Sequence, residues 1–328
     1  MIKFNKNIVA PLVAFILISV NTFAHFGSKG PFGGTVTCTA QGTILGNVSN
    51  QVFFGTAEGG VYVNNAAVTS WSARPVGLKS GKISALAVTG SYVFAATADS
   101  GIFRFTGFVG TDRYWEKVNS GLGNLKITSL VSIDTITLLA GTDNGTIYKT
   151  VNKGATWTAI SGLPFGSSKI TGLVKAGTRI IAIAETKGVY ASDNDGSSWS
   201  SLNDVNTADI AGTRSLSYNI ITDELLVVNS VGVYVLAAAS TTNSATYTLS
   251  TTGLGSAVVR YISNNGTNWF LATNGGVYKS ATGSISWATA NTGLSGGTLD
   301  VNIVTPFSTN LFVGTFKKGI YRTAKTRE

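Results

Sequence analysis

The sequence is poor in the residues from which most metal and redox sites are built. Its 328 residues include one cysteine, Cys38, and one histidine, His25. A single cysteine excludes an internal disulfide and a zinc site with several cysteines, so we expect Cys38 to be a small buried side chain. A copper brace built on His25 would need a second histidine. We therefore predict no metal and no cofactor.

Charged residues are also scarce. They make up 12% of the chain, and 24 lysines and arginines outnumber 15 aspartates and glutamates, which gives a formal net charge of +9. A surface made mainly of Gly, Ser, Thr and Asn is typical of a turn-rich secreted β protein. The basic balance favours an anionic partner, although net charge bears on solubility and encounter rather than on one ligand.

The sequence lacks an apolar run long enough for a permanent membrane span. The longest run, Ile8 to Val20, has 13 residues and follows Lys3 and Lys6. A helix of that length covers about 20 Å, whereas the hydrocarbon core measures roughly 30 Å. With a small residue at Ala24, the pattern is typical of a signal peptide over residues 1–24. We expect export to a periplasm or the extracellular space, no membrane span after cleavage, and a mature chain beginning at His25.

Helical repeats are excluded because hydrophobicity alternates with period two. Instead, a glycine followed by a β-branched residue and an aromatic recurs at steps of 41, 45, 42, 44, 44 and 43 residues. A period in the low forties with several short strands predicts an all-β fold, a β-propeller of four-stranded antiparallel blades. Seven blades fit best, with six or eight as alternatives. The recurring aromatics are Tyr62, Phe103, Tyr148, Tyr190, Tyr234, Tyr278 and Tyr321.

Residue sizes within the repeat also favour blades, which crowd near the axis and splay outward. Six of the seven residues just before the aromatic strands are small, and the fourth strands carry large aromatics suited to filling the outer gaps. The first set is Gly55, Ala96, Gly141, Ala184, Val228, Ala272 and Gly314. The second set is Trp71, Trp115, Trp157, Trp199, Tyr247 and Trp287.

The two ends of the repeat region predict how the ring closes. Residues 25–34 are glycine-rich and are expected to be flexible. Thr35 to Ala40 reads as an alternating strand without a hairpin partner, and the last unit is one strand short. We expect this N-terminal strand to complete the last blade, because closure removes two open sheet edges. The result is one propeller domain over residues 35–328, expected to be monomeric.

A polar hairpin between the third and fourth strands carries a family resemblance. Thr150 to Trp157 reads TVNKGATW, and Ser192 to Trp199 reads SDNDGSSW. Both resemble the Asp-box of bacterial neuraminidase repeats, Ser/Thr-x-Asp-x-Gly-x-Thr/Ser-Trp, with asparagine in place of aspartate. We expect a structural role, in which the amide oxygen accepts backbone N–H bonds and the glycine adopts a positive φ. The residues concerned are Thr150, Asn152, Gly154, Trp157, Ser192, Asn194, Gly196 and Trp199.

Within the Asp-box propellers, the chain is most similar to the photosystem II assembly and stability factors, over residues 35 to 323. The resemblance implies a non-enzymatic scaffold that holds a protein segment. It specifies fold better than activity, since fold alone does not assign function. The sialidases of the same class use an Arg-Ile-Pro signal and an arginine triad that this sequence does not show.

A carbohydrate-active hydrolase is the alternative function, because a glycosidase needs only two suitably separated carboxylates. The candidates are Asp99, Asp143, Glu185 and Asp193, all at turns or strand ends. Two carboxylates beside one cleft would favour this alternative. Nucleic-acid binding is not predicted, because the aromatics fall at periodic core positions rather than within a basic stripe.

One basic residue recurs where the innermost strand of five consecutive units begins. Because these strands line the channel and begin on one face, we predict a basic arc around the channel mouth that binds an acidic protein segment or an acidic glycan. Asp300 and Asn302 would interrupt it at the seventh blade. The alternative is that these are ordinary solvated charges at strand ends. The arc consists of Lys82, Lys126, Lys169, Arg214 and Arg260.

Overall fold

The computed structural model describes residues 26–28, 34–43, 50–58, 60–65, 71–73, 77–78, 82–109, 112–202, 212–239, 241 and 246–323. The predicted signal peptide and His25 lie outside the described residues.

The described strands form seven antiparallel sheets of four strands each, which confirms the seven-bladed propeller. Blades 1 and 2 contain β2 Val36–Gly42, β3 Gln51–Thr56, β4 Val61–Asn65 and β5 Ser72–Ala73, then β6 Ile83–Thr89, β7 Tyr92–Thr97, β8 Ile102–Val109 and β9 Asp112–Lys117. Blades 3 and 4 contain β10 Ile127–Ser132, β11 Leu138–Thr142, β12 Ile147–Thr150 and β13 Thr158–Ala159, then β14 Ile170–Ala176, β15 Arg179–Ala184, β16 Gly188–Ser192 and β17 Ser200–Ser201.

The remaining blades follow the same order from the axis outward. Blades 5 and 6 contain β18 Ser215–Asn219, β19 Glu224–Val228, β20 Val233–Leu236 and β21 Thr248–Ser250, then β22 Val259–Asn264, β23 Asn268–Thr273, β24 Gly276–Ala281 and β25 Ser284–Thr289. Blade 7 contains β26 Val301–Phe307, β27 Asn310–Thr315, β28 Ile320–Thr323 and the N-terminal strand β1 Phe26–Ser28. A 3₁₀ turn covers Gly296–Leu299. No helix among the described residues is long and apolar enough to cross a bilayer.

The hydrophobic core is divided among the spaces between blades. Seven clusters of buried side chains are found among the described residues, and each joins two neighbouring blades. Between blades 2 and 3, for example, Phe94 and Ile102 pack with Leu138 and Trp157. The cluster of Val36, Val52 and Phe54 with Ile303, Phe307, Phe312 and Ile320 closes the ring between blades 1 and 7. Burial of these apolar surfaces is the main force holding the blades together.

Small residues on the second strands are required by the neighbouring blade. A Cβ added to Gly141 would lie 2.6 Å from Cγ2 of Ile170, which begins the innermost strand of the next blade. At Gly314 the corresponding neighbour is Val36, whose Cβ would also lie at 2.6 Å. The size pattern in the repeat therefore records how closely adjacent blades approach near the axis.

An N-terminal strand completes the last blade, as expected, but it is not the predicted one. Strand β1 pairs with β28, with Phe26 opposite Thr323 and Ser28 opposite Tyr321. The predicted closing segment, Thr35 to Ala40, instead belongs to β2, the innermost strand of blade 1, and pairs with β3. Its residues alternate in polarity because successive side chains face the channel and the core. The true closing strand lies within the segment 25–34 that we expected to be flexible, and its three residues are too few to show a hydrophobic period.

Candidate binding site at the channel mouth

The innermost strands of all seven blades surround a central cavity of about 730 Å³. We call the end at which these strands begin the channel mouth. All five residues of the predicted basic arc, Lys82, Lys126, Lys169, Arg214 and Arg260, line this cavity. The structure thus brings together, on one side of the molecule, residues that are up to 178 positions apart in the sequence.

A β-bulge shapes the mouth near the start of the innermost strand. In β10, for example, the register shifts between Ile127 and Ser129, which places Thr128 at the bulge. Five other innermost strands show the same shift. The bulge turns an extra side chain of each strand toward the axis. The six bulge residues, all lining the cavity, are Thr37, Ser84, Thr128, Thr171, Arg260 and Asn302. Arg214 lines the cavity at the equivalent position in blade 5, where the pairing of β18 with β19 shows no such shift.

Most of these bulge side chains connect neighbouring blades by hydrogen bonds. Thr128 Oγ1 donates to the Ile170 carbonyl at 2.6 Å, and Asn302 Nδ2 donates to the Val36 carbonyl at 3.3 Å, across the closure of the ring. The equivalent bonds run from Thr37 to the Ile83 carbonyl, from Ser84 to Ile127, from Thr171 to Thr213 and from Arg260 to Val301. Sequence reasoning missed this ring, although the recurring Thr or Ser one residue into the strand is its signal.

Arg214, at the equivalent position in blade 5, is the exception. Its backbone N–H donates to the Val228 carbonyl at 2.7 Å. Its side chain is exposed and, within the described part of the chain, makes no hydrogen bond or ion pair. In the other blades the side chain at this position is hydrogen-bonded to the neighbouring blade. In blade 5 it is therefore accessible to a ligand.

Two of the five cations at the mouth have an ion-pair partner. Lys126 Nζ lies 3.5 Å from Asp143 Oδ2. Arg260 forms an ion pair with Asp300 and also approaches Asn302 Oδ1 at 3.5 Å. No such partner is found among the described residues for Lys82, Lys169 or Arg214. The cations without an ion pair therefore lie on blades 2, 4 and 5, and Glu185, which also lines the cavity in blade 4, offsets part of their charge.

Two ionisable side chains of the cavity wall are uncharged. Burial raises the pKa of the Cys38 thiol to about 12 and that of the Tyr261 hydroxyl to about 12. Both groups line the cavity and stay protonated at neutral pH. Neither group adds a negative charge that would oppose the binding of an anion by the nearby cations.

The four candidate carboxylates of a hydrolase occupy different places. Asp143 and Glu185 line the cavity, whereas Asp99 and Asp193 do not. Asp143 Oδ1 accepts a bond from Asn124 Nδ2 at 2.8 Å, in addition to its contact with Lys126. Asp193 is bound by Arg179 at 2.7 and 2.9 Å, and this guanidinium holds the pKa of Asp193 below its ordinary value. Since two carboxylates do share the cavity, that criterion alone does not separate hydrolase from scaffold.

The two Asp-box-like hairpins lie away from the channel, between the third and fourth strands of blades 3 and 4. In the first, Asn152 Oδ1 accepts the Thr156 N–H at 3.0 Å, and Thr150 Oγ1 accepts the Gly154 N–H at 2.9 Å. Trp157 is buried and its Nε1 donates to the Val118 carbonyl of blade 2 at 2.9 Å. In the second hairpin, Ser192, Asn194, Gly196 and Ser198 repeat the backbone bonds, and Trp199 donates to the Gly196 carbonyl. Gly154 and Gly196 have φ of 81° and 84°.

Comparison with solved structures places this architecture among known propellers. The structure of YCF48 bound to D1 peptide superposes with a TM-score of 0.71 at 12% identity, covering 92% of this chain and 98% of that one. YCF48 from Cyanidioschyzon merolae gives 0.68 at 13% identity, with 93% and 100% covered. The extracellular domain of the one-component system BT4673 from B. thetaiotaomicron gives 0.69 at 13% identity, with 93% of this chain and 40% of that one covered.

These similarities are of fold. No protein-family model matches the sequence, and no curated protein matches it. The expected likeness to the assembly-factor propellers is confirmed at the level of architecture. At such low identity, any function must be argued from the site itself.

Proposed function

We propose that this protein is an exported, non-enzymatic binding propeller that holds an anionic ligand, a segment of a partner protein or an acidic glycan, at the channel mouth. The observation that carries the proposal is the set of Lys82, Lys169 and Arg214, which line one cavity without an ion-pair partner among the described residues. Like charges held on one ring raise the local potential and attract an anion.

Three neighbours of the same fold support this proposal. One is a YCF48 structure with a bound D1 peptide, so a propeller of this shape accommodates a protein segment. Others are extracellular domains of signalling systems, in agreement with export. Intact-mass analysis of the exported protein tests the cleavage site. A product beginning at His25 is expected, and a product that keeps residues 1–24 would contradict export by a cleaved signal peptide.

The binding test replaces Lys82, Lys169 and Arg214 by glutamine together. Arg260 is left intact because its bonds to Asp300 and Val301 connect blades 6 and 7. The control is Lys117→Gln, an exposed lysine on the outermost strand of blade 2. Probes are labelled oligoglutamate and polysialic acid, titrated at several salt concentrations.

The triple variant is expected to lose about tenfold or more in affinity at low salt, corresponding to about 1.4 kcal/mol, and to lose much of its salt dependence. The Lys117 variant should bind as the wild type does. Unchanged affinity and salt dependence in a folded triple variant would show that the mouth is not the binding site.

A glycoside hydrolase is the second candidate, because Asp143 and Glu185 share the cavity. It predicts turnover of aryl glycosides that is lost in both Asp143→Asn and Glu185→Gln. Wild-type protein without turnover, or turnover that survives both changes, would exclude this pair as the catalytic carboxylates.

A further inference from the structure

The residue just before the innermost strand forms a rim around the channel mouth. Its backbone carbonyl accepts a hydrogen bond from the N–H of the residue that follows the second strand of the same blade. This bond recurs from blade to blade and so identifies the equivalent residues. Asp143 N donates to the Lys126 carbonyl, and Asn274 N donates in the same way to Val258. The described rim residues related by this bond are Thr35, Lys82, Lys126, Lys169, Val258 and Asp300.

The chemistry of this rim differs from blade to blade, and blades 1 and 7 carry Thr35 and Asp300. Blades 2, 3 and 4 each carry a lysine at the rim. In blade 6 the same position is Val258, whose side chain is 39% exposed. In blade 7, Phe316 donates its N–H to the Asp300 carbonyl and has a side chain that is 43% exposed. Phe316 thus occupies in blade 7 the position that Asp143 and Glu185 occupy in blades 3 and 4.

The two exposed apolar residues, Val258 and Phe316, are bordered by positive charge. Lys317 Nζ lies 5.3 Å from the centre of the Phe316 ring, and Lys318 follows it in the same turn. Asp300, the rim residue of blade 7, is bound to Arg260. An anionic ligand that reaches from the rim lysines to Val258 and Phe316 would therefore meet apolar surface without leaving a basic environment.

We propose that the ligand is a polypeptide segment in which acidic residues adjoin large apolar side chains, with the acidic groups near Arg214 and Lys169 and an apolar side chain on Val258 and Phe316. This inference rests on the proposed function and adds the class of ligand to it. A glycan or a simple anion could use the charges alone, whereas exposed Val and Phe side chains gain by contact with another apolar group. Extended peptides can present both chemistries along one strand.

The test compares two labelled peptides of equal length and charge, an oligoglutamate extended by serines and the same oligoglutamate extended by leucine and phenylalanine. Polysialic acid serves as the glycan probe. The variant Val258→Ser/Phe316→Ser removes the apolar contacts, while the backbone bonds of both residues are preserved. The control is Ile136→Ser/Val151→Ser, which changes two exposed aliphatic residues in loops on the opposite face.

The wild type is expected to bind the apolar peptide about tenfold more tightly than the serine peptide. Val258→Ser/Phe316→Ser should abolish this preference, and the control variant should keep it. Equal affinity for the two peptides, or tighter binding of polysialic acid, would overturn the peptide assignment while leaving anion binding in place. A preference that survives in Val258→Ser/Phe316→Ser would also overturn it. If neither peptide nor glycan binds, the proposed function itself is wrong.

Discussion

The buried tryptophan of the first Asp-box-like hairpin offers a direct test of whether that hairpin is structural. Trp157 is 3% exposed and packs between blades 2 and 3. A tryptophan buries on the order of 150–250 Å², which at about 25 cal/mol per Å² corresponds to an upper limit of about 4–6 kcal/mol. Trp157→Ala leaves a cavity that its neighbours fill only in part. We therefore expect the free energy of unfolding to fall by about 3–5 kcal/mol.

Two further variants separate packing from hydrogen bonding. Trp157→Phe keeps an aromatic ring but leaves the Val118 carbonyl without its indole donor, which should cost about 1–3 kcal/mol. Asn152→Ala removes the acceptor of the Thr156 N–H at an exposed turn, and a cost of about 1 kcal/mol is expected. The urea midpoint should thus fall most for Trp157→Ala, with smaller losses for the other two.

The same variants should not change ligand binding. The affinity of each folded variant for oligoglutamate is compared with that of the wild type at low urea concentration. The hairpins lie outside the channel, so the affinity of the folded protein should be unchanged. A variant that loses binding without a lower urea midpoint would refute our reasoning and make the hairpin a functional surface.

Three more measurements test other parts of the structure. Cys38, with a pKa raised to about 12, should react with a thiol reagent at pH 8 only after unfolding, so rapid labelling of native protein would contradict its burial. Because the pKa of Asp193 is lower in the folded protein, its ion pair stabilises the fold above about pH 4, and this stability is lost as the pH falls through the pKa of the folded state. The carboxylate is largely exposed, so Asp193→Asn should lower the free energy of unfolding by under about 1 kcal/mol at pH 6 and by little at pH 2. Gly141→Ala should lower the free energy of unfolding by about 1–3 kcal/mol because its Cβ meets Ile170, and an unchanged melting temperature would show that blades 3 and 4 are less tightly packed than described.

The sequence predicted the propeller because its evidence is repeated in most blades. The step between aromatics, the small residue before six of the seven and the outer aromatics of six blades all follow from the same packing. The position of the five basic residues could also be predicted, since it follows from register along equivalent strands. Their ion pairs could not, because Asp300 meets Arg260 only through the contact between blades 6 and 7.

Features that occur once were harder to infer. The closing strand Phe26–Ser28 is held by backbone pairing to β28, and backbone bonds leave no mark on residue type. The two exposed apolar residues at the mouth, Val258 and Phe316, could not be predicted, because valine and phenylalanine are common in any β-sheet protein. Their significance comes from exposure at positions where other blades carry charge, and exposure is a property of the folded ring alone.

Strand β1 also determines when the ring can form. Its partner, β28, lies about 300 residues further along the chain, so this pairing has a very large sequence separation and a high entropic cost of loop closure. During synthesis from the N-terminus, β1 cannot pair with β28 until the last blade has emerged. Because the first and last strands then lie side by side, a short linker could join residues 26 and 323, and new termini could be opened in a loop between two other blades. Such a circular permutant would turn the final long-range pairing into a local hairpin and should fold faster.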